Sequence, residues 1–501
     1  MQRSTGGNSP SSAYRELLVI EKVNETFLKV NCNQGIAQEL NEFFSFFANG
    51  YKFMPAFKRR QWDGRIRLFN NRNNGLYVGL LPYLKSFCDE RDYDIEFDSS
   101  LELQEEFSFQ EAVEFSNEIN LPFEPRKYQL EAFTHCVRNN RSMILSPTGS
   151  GKSLIIYLLS RFYNEKTLVV VPTVSLVRQM YSDFKDYGYK DECKLISAGV
   201  DKEIIDENIT ITTWQSIYKM PKSWFDQFNV VIGDEAHLFK AKSLTTIMTR
   251  LSDCKYRFGF TGTLDGTETH KLVLEGLFGT VKSFVKTKQL IEGNTLADLK
   301  IKILVLKYNE LTRKTHKEDK FHDEMDFITQ NDKRNKFISN LTLSLEGNTL
   351  VLFSFVEKHG KILHDLVNKK VAKGRQVFFV FGGTDADTRE SIRAITEKES
   401  NAIIIASYGT FSTGINIRNL HNIVFASPSK SRIRNLQSIG RGLRKSDSKA
   451  LCTLYDIADD LQYKKSINHT LRHLYERVKI YNEEQFDYKM YKIKLENESH
   501  G

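Results

Sequence analysis

Two α/β lobes, each a parallel sheet wound with helices, with a small α+β domain ahead of them, are what the sequence predicts. Two series of short apolar runs separated by amphipathic stretches carry this expectation. The first comprises Met143-Ile144-Leu145, Leu168-Val169-Val170-Val171, Ile209-Thr210-Ile211 and Val230-Val231-Ile232. The second starts near Thr349 with Leu350-Val351-Leu352-Phe353, then Val377-Phe378-Phe379-Val380, Ala402-Ile403-Ile404-Ile405 and Asn422-Ile423-Val424-Phe425. Buried parallel strands read as such continuous apolar runs because both their faces are covered.

The remaining elements follow in order. Residues 1–13 are polar, lack an apolar h-region and read as a disordered leader. Residues 14–98 form the amino-terminal domain. Phe27-Leu28-Lys29-Val30 alternates like a strand, and Ile36, Leu40, Phe43, Phe44 and Phe47 recur at helical spacing. Residues 99–120, with Glu102, Glu105, Glu106, Glu111, Glu114 and Glu118, read as an acidic connector. The first lobe is expected over 121–283, an inter-lobe region over 284–347 and the second lobe over 348–460. Residues 461–501 read as a helical tail, with Ile467, Leu471, Leu474 and Val478 on one face. The tail is read as either packing on the second lobe or adding contacts to a bound ligand, and Lys464, Lys465, Arg472 and Arg477 fit a solvated face equally.

Composition sets bounds on this picture. A chain of 501 residues exceeds what one core usually supports. With 35 Phe and only 9 Pro, extensive disorder is not expected. The net charge of +8 points only weakly to a polyanionic partner. Cys32, Cys88, Cys136, Cys193, Cys254 and Cys452 include no Cys-x-x-Cys pair, so neither a zinc site nor a disulfide framework is suggested, and a reducing cytosol fits. No apolar run approaches the roughly 20 residues of a membrane span, so no membrane partner is expected.

The chemistry starts at Ser146-Pro147-Thr148-Gly149-Ser150-Gly151-Lys152-Ser153, between an apolar strand and an apolar helix. Strand, glycine-rich turn and helix form a P-loop: backbone N–H groups curl round phosphates and the helix dipole favours the anion. Thr148, Gly149, Ser150 and Gly151 would cradle the phosphates. Lys152 would reach the β- and γ-phosphates and Ser153 would ligate Mg2+ of a bound ATP. Ser146 stands where the general pattern has Gly. Downstream, Val230-Val231-Ile232 runs into Asp234-Glu235-Ala236-His237. Asp234 is placed to hold the metal, and Glu235 to orient or deprotonate an attacking water.

With these two motifs in hand, the chain resembles the superfamily 2 helicases with a DEAH-type motor, and the resemblance implies two RecA-like lobes. Arg126, Tyr128 and Gln129 resemble that group's adenine-recognition element. Pro172 and Thr173, then Thr213 and Gln215, resemble its strand-binding motifs, and Thr261-Gly262-Thr263 the motif coupling hydrolysis to strand contact. In the second lobe, Ser412, Thr413 and Gly414 resemble a motif touching nucleic-acid backbone and nucleotide, although Asn416 stands where many relatives carry Asp. Gln437-Ser438-Ile439-Gly440-Arg441-Gly442-Leu443-Arg444 matches Gln-x-x-Gly-Arg-x-x-Arg. Gln437, Arg441 and Arg444 would act from the facing lobe, the two arginines sharing one helix face.

A narrower resemblance rests on 43–69. There Lys52, Lys58, Arg59, Arg60, Arg65 and Arg67 interleave with Tyr51, Phe53, Phe57 and Trp62, and Trp62-Asp63-Gly64-Arg65-Ile66-Arg67-Leu68 closes the segment. Cations can neutralise phosphate and aromatics can stack on bases; Arg59, Arg60, Trp62 and Arg65 are the candidate contacts. The segment is similar to the amino-terminal domain of the phage UvsW-type recombination helicases. That resemblance implies a DNA helicase of 3′-to-5′ polarity on single-stranded and branched DNA: junctions, forks, D-loops and R-loops with their RNA strand. It also implies a monomer in the host cytoplasm, working with recombination or single-strand-binding proteins. An RNA helicase and a non-catalytic annealing module remain as alternatives. Intact Lys152, Asp234, Glu235, Gln437, Arg441 and Arg444 weigh against the second.

Overall fold

A computed structural model describes residues 16–48, 50–98, 101, 106–197, 205–240, 242–414, 417, 419–443 and 451–495. The expected leader, Glu102 and Glu105 of the connector, Asn416 and Arg444 lie outside the described residues. Among the described residues, no helix is long and apolar enough to cross a membrane.

The amino-terminal domain is a five-stranded mixed sheet in the order Phe69–Asn70, Gly75–Tyr77, Phe27–Asn31, Leu17–Lys22, Asp94–Phe97. Alternation in Phe27–Asn31 turns Leu28 and Val30 into a core with Leu18, Ile20, Leu40, Phe44, Leu84 and Phe87. Helix Gln34–Phe43 starts where the Asn33 side chain accepts the Ile36 N–H, satisfying one of the donors a helix start leaves open.

This domain is seated on the first lobe through polar contacts. The Glu25 N–H donates to Ser252 O at 2.8 Å, and Arg141 pairs with the Glu25 carboxylate at 2.9 Å. The fully buried Arg257 donates to Thr26 Oγ1 at 2.9 Å, and the Tyr83 hydroxyl to Glu275 Oε2 at 2.6 Å. The backbones come so close that a Cβ on Gly79 would stand 1.9 Å from the Glu275 carbonyl oxygen. Gly79→Ala is therefore expected to cost about 1–3 kcal/mol by overpacking. It should also speed amide hydrogen exchange in helix Glu268–Phe278; an unchanged exchange pattern would show that the domains are not held by this contact.

The first lobe is a seven-stranded sheet in the order Lys194–Ile196, Ile209–Thr213, Thr167–Val171, Val230–Asp234, Tyr256–Thr261, Arg141–Leu145, Val281–Ser283. Every pairing in it is parallel. Apolar clusters cover both faces, as a parallel sheet requires. Part of the stretch read as an acidic connector forms helix Phe109–Glu118, opened by a Ser108–Glu111 capping box. Its Ala112 and Phe115 pack on Phe133 and Phe162 of this lobe.

The second lobe repeats the plan, again parallel throughout: Val377–Val380, Ile403–Ser407, Thr349–Phe353, Asn422–Phe425, Leu451–Asp460, Asp298–Lys307, Tyr488–Lys494. Two members lie outside the bounds expected for this lobe. Asp298–Lys307 belongs to the stretch read as an inter-lobe region, and Tyr488–Lys494 to the tail. The expected tail helix forms as His469–Glu483, with Leu471 and Leu474 buried. Arg477 on that helix is not on a solvated face. It is buried, bonded to Asp456 at 2.8 Å and to Ser429 O at 3.1 Å. Arg334 forms a second buried pair with Asp459 at 2.8 Å. Glu324, also buried, accepts the His469 and Thr470 N–H groups at 2.8 and 2.7 Å, capping the helix. Breaking such a pair leaves an uncompensated buried charge, at a cost of about 3–5 kcal/mol. These contacts make the carboxy-terminal helix part of the second lobe.

Candidate active site

The site lies at the carboxyl ends of the first lobe's strands, where ligands of open parallel sheets bind. Strand Arg141–Leu145 runs into the 146–151 turn, in which Gly149 and Gly151 have φ of +85° and +80°, a region L side chains avoid. A Cβ at Gly151 would also stand 2.4 Å from the Gln129 amide nitrogen. Helix Lys152–Tyr163 follows with no side chain capping its start, so its first N–H groups face the turn. The Ser146 and Ser150 hydroxyls bond at 2.7 Å across the loop, which gives the non-glycine first position a structural use. Lys152 Nζ reaches back to Ser146 O at 3.3 Å. The Ser153 hydroxyl lies 2.7 Å from the Tyr187 hydroxyl.

Arg126, Tyr128 and Gln129 sit directly behind this loop. Tyr128 donates to Ser150 O at 2.8 Å and Gln129 Nε2 to the same oxygen at 2.9 Å. Gln129 Oε1 accepts the Arg126 N–H at 2.8 Å. Both ends of the buried Gln129 amide are thus engaged within the protein, where the side chain braces the P-loop. Arg126 Nη1 reaches Tyr128 OH at 3.3 Å.

Strand Val230–Asp234 delivers the two carboxylates. Glu235 has φ +51°, uncommon for a residue other than glycine, and its N–H donates to Asp234 Oδ1 at 2.9 Å. His237 Nδ1 lies 2.9 Å from Thr261 Oγ1 and 3.3 Å from Glu235 Oε2. Thr261 Oγ1 also donates to Thr263 O at 3.0 Å, so the acidic motif and Thr261-Gly262-Thr263 share one polar cluster. Burial and the neighbouring Glu235 charge push the Asp234 carboxyl up from its usual range, against the pull of Lys152. Burial acts on Glu235 in the same sense. There it is outweighed by the His237 contact and the charges of Lys152, His237 and Arg441, which hold Glu235 ionised.

This donor set suits a magnesium–nucleotide complex. Among the described residues, no cluster of three or more His, Cys, Asp or Glu could hold a metal by itself. A hydroxyl and a single carboxylate do suit Mg2+, which keeps waters and takes its remaining ligands from phosphate oxygens. A cation here would also relieve the crowding that raises Asp234.

The second lobe closes over this site. Leu296, just before strand Asp298–Lys307, lies 2.7 Å from where a Gly149 Cβ would be. A Cβ at Gly440, in helix Arg432–Gly442, would stand 2.8 Å from Thr148 Cβ. Half-buried Gln437 lies on the same helix. The Arg441 guanidinium rests over the Phe411 ring, 5.4 Å from its centroid, and its charge is felt at Glu235. Ser412, Thr413 and Gly414 end helix Tyr408–Gly414, but their side chains lie outside what is described.

The expected strand contacts gather at neighbouring strand ends. Thr173 caps helix Val174–Asp186, and Gln215 Nε2 donates to Pro172 O at 3.5 Å. Thr213 is buried, its hydroxyl 2.9 Å from that of Ser216. In the amino-terminal domain Arg59 and Arg60 are exposed, whereas Trp62 donates its Nε1–H to Arg65 O at 2.9 Å. Arg65 itself lies over the Phe47 ring at 4.8 Å. A shallow cavity of about 590 Å³ opens there, with Lys52, Lys58, Arg60, Phe57 and Trp62 in its walls, and Phe53 is 81% exposed nearby in sequence. Tyr187 and Leu296 are site neighbours that motif reading missed, since no local pattern marks them; Phe411 lies inside the Ser407–Ile417 motif but had no role assigned to it.

Fold and site together define a two-lobed motor of the superfamily 2 helicase class. Residues 122–266 match the family described as "Type III restriction enzyme, res subunit", and residues 332–446 the "Helicase conserved C-terminal domain". Residues 22–98 match "DNA helicase UvsW, N-terminal". The ATP-dependent DNA helicase uvsW of Enterobacteria phage T4 is 36% identical over 496 residues, covering 93% of this chain and 98% of that protein. A crystal structure of T4 UvsW superposes with a TM-score of 0.50 at 33% identity, covering 96% of this chain and 100% of that one. The DNA 3′-5′ translocase XPB2 of Sulfurisphaera tokodaii is 26% identical, covering 66% of this chain and 80% of that protein. The chain belongs to the UvsW family of ATP-dependent DNA helicases.

Proposed function

We propose that the protein uses ATP hydrolysis to move along DNA and remodel branched structures: four-way junctions, forks, D-loops and R-loops. The reading is supported above all by an amino-terminal domain of UvsW type seated on an ATPase lobe. A 3′-to-5′ direction, monomeric action, recombination or single-strand-binding partners and work in a host cytoplasm belong to the same proposal.

In it, Thr148, Gly149, Ser150, Gly151 and Lys152 hold the phosphates, and Ser153 and Asp234 hold magnesium. Arg126, Tyr128 and Gln129 flank the base. Bound there, the metal neutralises charge on the β- and γ-phosphates. Glu235, kept ionised by His237 and Lys152, orients the attacking water and accepts its proton. Gln437, Arg441 and Arg444 approach the γ-phosphate from the second lobe and stabilise charge on the group in transfer. Closure of the lobes on ATP and opening after hydrolysis then shift Ser412 and Thr413 relative to Pro172, Thr173, Thr213 and Gln215. A strand lying across both grips advances because the two states hold it with different affinity.

The test is a labelled four-way junction incubated with protein and ATP. Conversion to forked products by the wild type, and none by Lys152→Ala, is expected. Absence of conversion alongside brisk DNA-stimulated hydrolysis would contradict the branched-substrate reading. For the amino-terminal cations, replacing Arg59, Arg60 and Arg65 together by Ala should lower the log–log salt slope of junction binding by up to about 3, roughly one for each phosphate no longer neutralised. An unchanged slope would return these side chains to plain solvation.

A further inference from the structure

We infer that Tyr187 is a positioning residue for the Ser153 hydroxyl, fixing the direction in which that oxygen offers its lone pairs to a metal. The inference rests on the reading of Ser153 as a magnesium ligand. Tyr187 follows helix Val174–Asp186, where its N–H closes the helix end on Asp183 O at 2.9 Å. Its ring is held edge-on by Phe123, with centroids 5.6 Å apart, and tilted against Tyr157 at 5.5 Å. Tyr157 is fully buried and shares helix Lys152–Tyr163 with Ser153. The phenol oxygen is thereby held 2.7 Å from Ser153 Oγ by two helices at once.

A hydroxyl that ligates a cation does so through a lone pair, so its proton must point away and find an acceptor. The Tyr187 oxygen is such an acceptor at hydrogen-bond distance, and the aromatic contacts keep it from drifting. Without it the serine hydroxyl turns among its staggered rotamers, and only part of that population faces the metal. Removing the phenol oxygen should therefore weaken the metal-dependent part of nucleotide binding and leave the metal-independent part alone.

The experiment titrates Mg2+ into the full-length protein with a fluorescent N-methylanthraniloyl ATP, repeats the binding in EDTA, and compares wild type, Tyr187→Phe and Ser153→Ala. The expected result is a rise of about tenfold in the Mg2+ concentration for half-maximal binding by Tyr187→Phe. Its EDTA affinity and its unfolding temperature should match wild type. A wild-type Mg2+ dependence in Tyr187→Phe, beside a lost one in Ser153→Ala, overturns the role of Tyr187 and leaves the metal reading standing. A full Mg2+ dependence in Ser153→Ala overturns both. Equal loss with and without Mg2+ in Tyr187→Phe makes the residue merely structural and also overturns the inference.

Discussion

Arg441→Ala should lower DNA-stimulated ATP hydrolysis by about 10³- to 10⁵-fold, the range found when an arginine finger is removed from other phosphoryl-transfer enzymes. Steady-state hydrolysis at saturating single-stranded DNA measures it. Nucleotide affinity should change far less, because Lys152 and the P-loop N–H groups carry ground-state binding. The expectation has two structural supports. Arg441 is held over Phe411, and it lies close enough to Glu235 for its charge to lower that carboxyl's pKa although it belongs to the other lobe. A loss of less than tenfold would mean that Arg441 does not meet the phosphoryl group in flight.

Glu235→Gln should reduce the turnover rate by about 10²- to 10⁴-fold, the usual contribution of a positioned general base. The amide keeps the side chain's size and can still face His237, so folding and DNA binding should survive. Single-turnover hydrolysis, paired with a DNA-binding titration, separates these effects. The variant should bind ATP and DNA and stall between them. Near-normal hydrolysis would move the base elsewhere. Asp234, pushed up by burial and by Glu235 itself, is not an equivalent base, because its oxygens are the ones proposed to face the metal.

The parts of this molecule that could be read from sequence are those written contiguously. The P-loop and Asp234-Glu235-Ala236-His237 each pack their chemistry into a few successive residues, preceded by an apolar strand that locates them at the carboxyl end of the sheet. Strand Asp298–Lys307 escaped because Lys300 and Lys302 break up its apolar run, and Tyr488–Lys494 because it lies in the stretch read throughout as a helical tail. Arg477 resembled a solvated cation because its partner, Asp456, is brought to it only by the packing of the tail helix on the second sheet. Gln129 shows the same limit at the site. Its bonds to the P-loop and to the Arg126 N–H, made in addition to any contact with a base, are visible only in the fold. Tyr187 and Phe411 lie far in sequence from Ser153 and Arg441, the side chains they touch or support, and only the sheet topology brings them together.

The central claim, a two-lobed ATPase driven by branched DNA, is tested most directly by steady-state ATP hydrolysis under five conditions. These are no nucleic acid, single-stranded DNA, forked DNA, a four-way junction and single-stranded RNA, with Lys152→Ala as control. Strong stimulation by DNA, greatest for the branched forms and absent in Lys152→Ala, is the predicted result. Stimulation by RNA alone, or no hydrolysis under any condition, would contradict it.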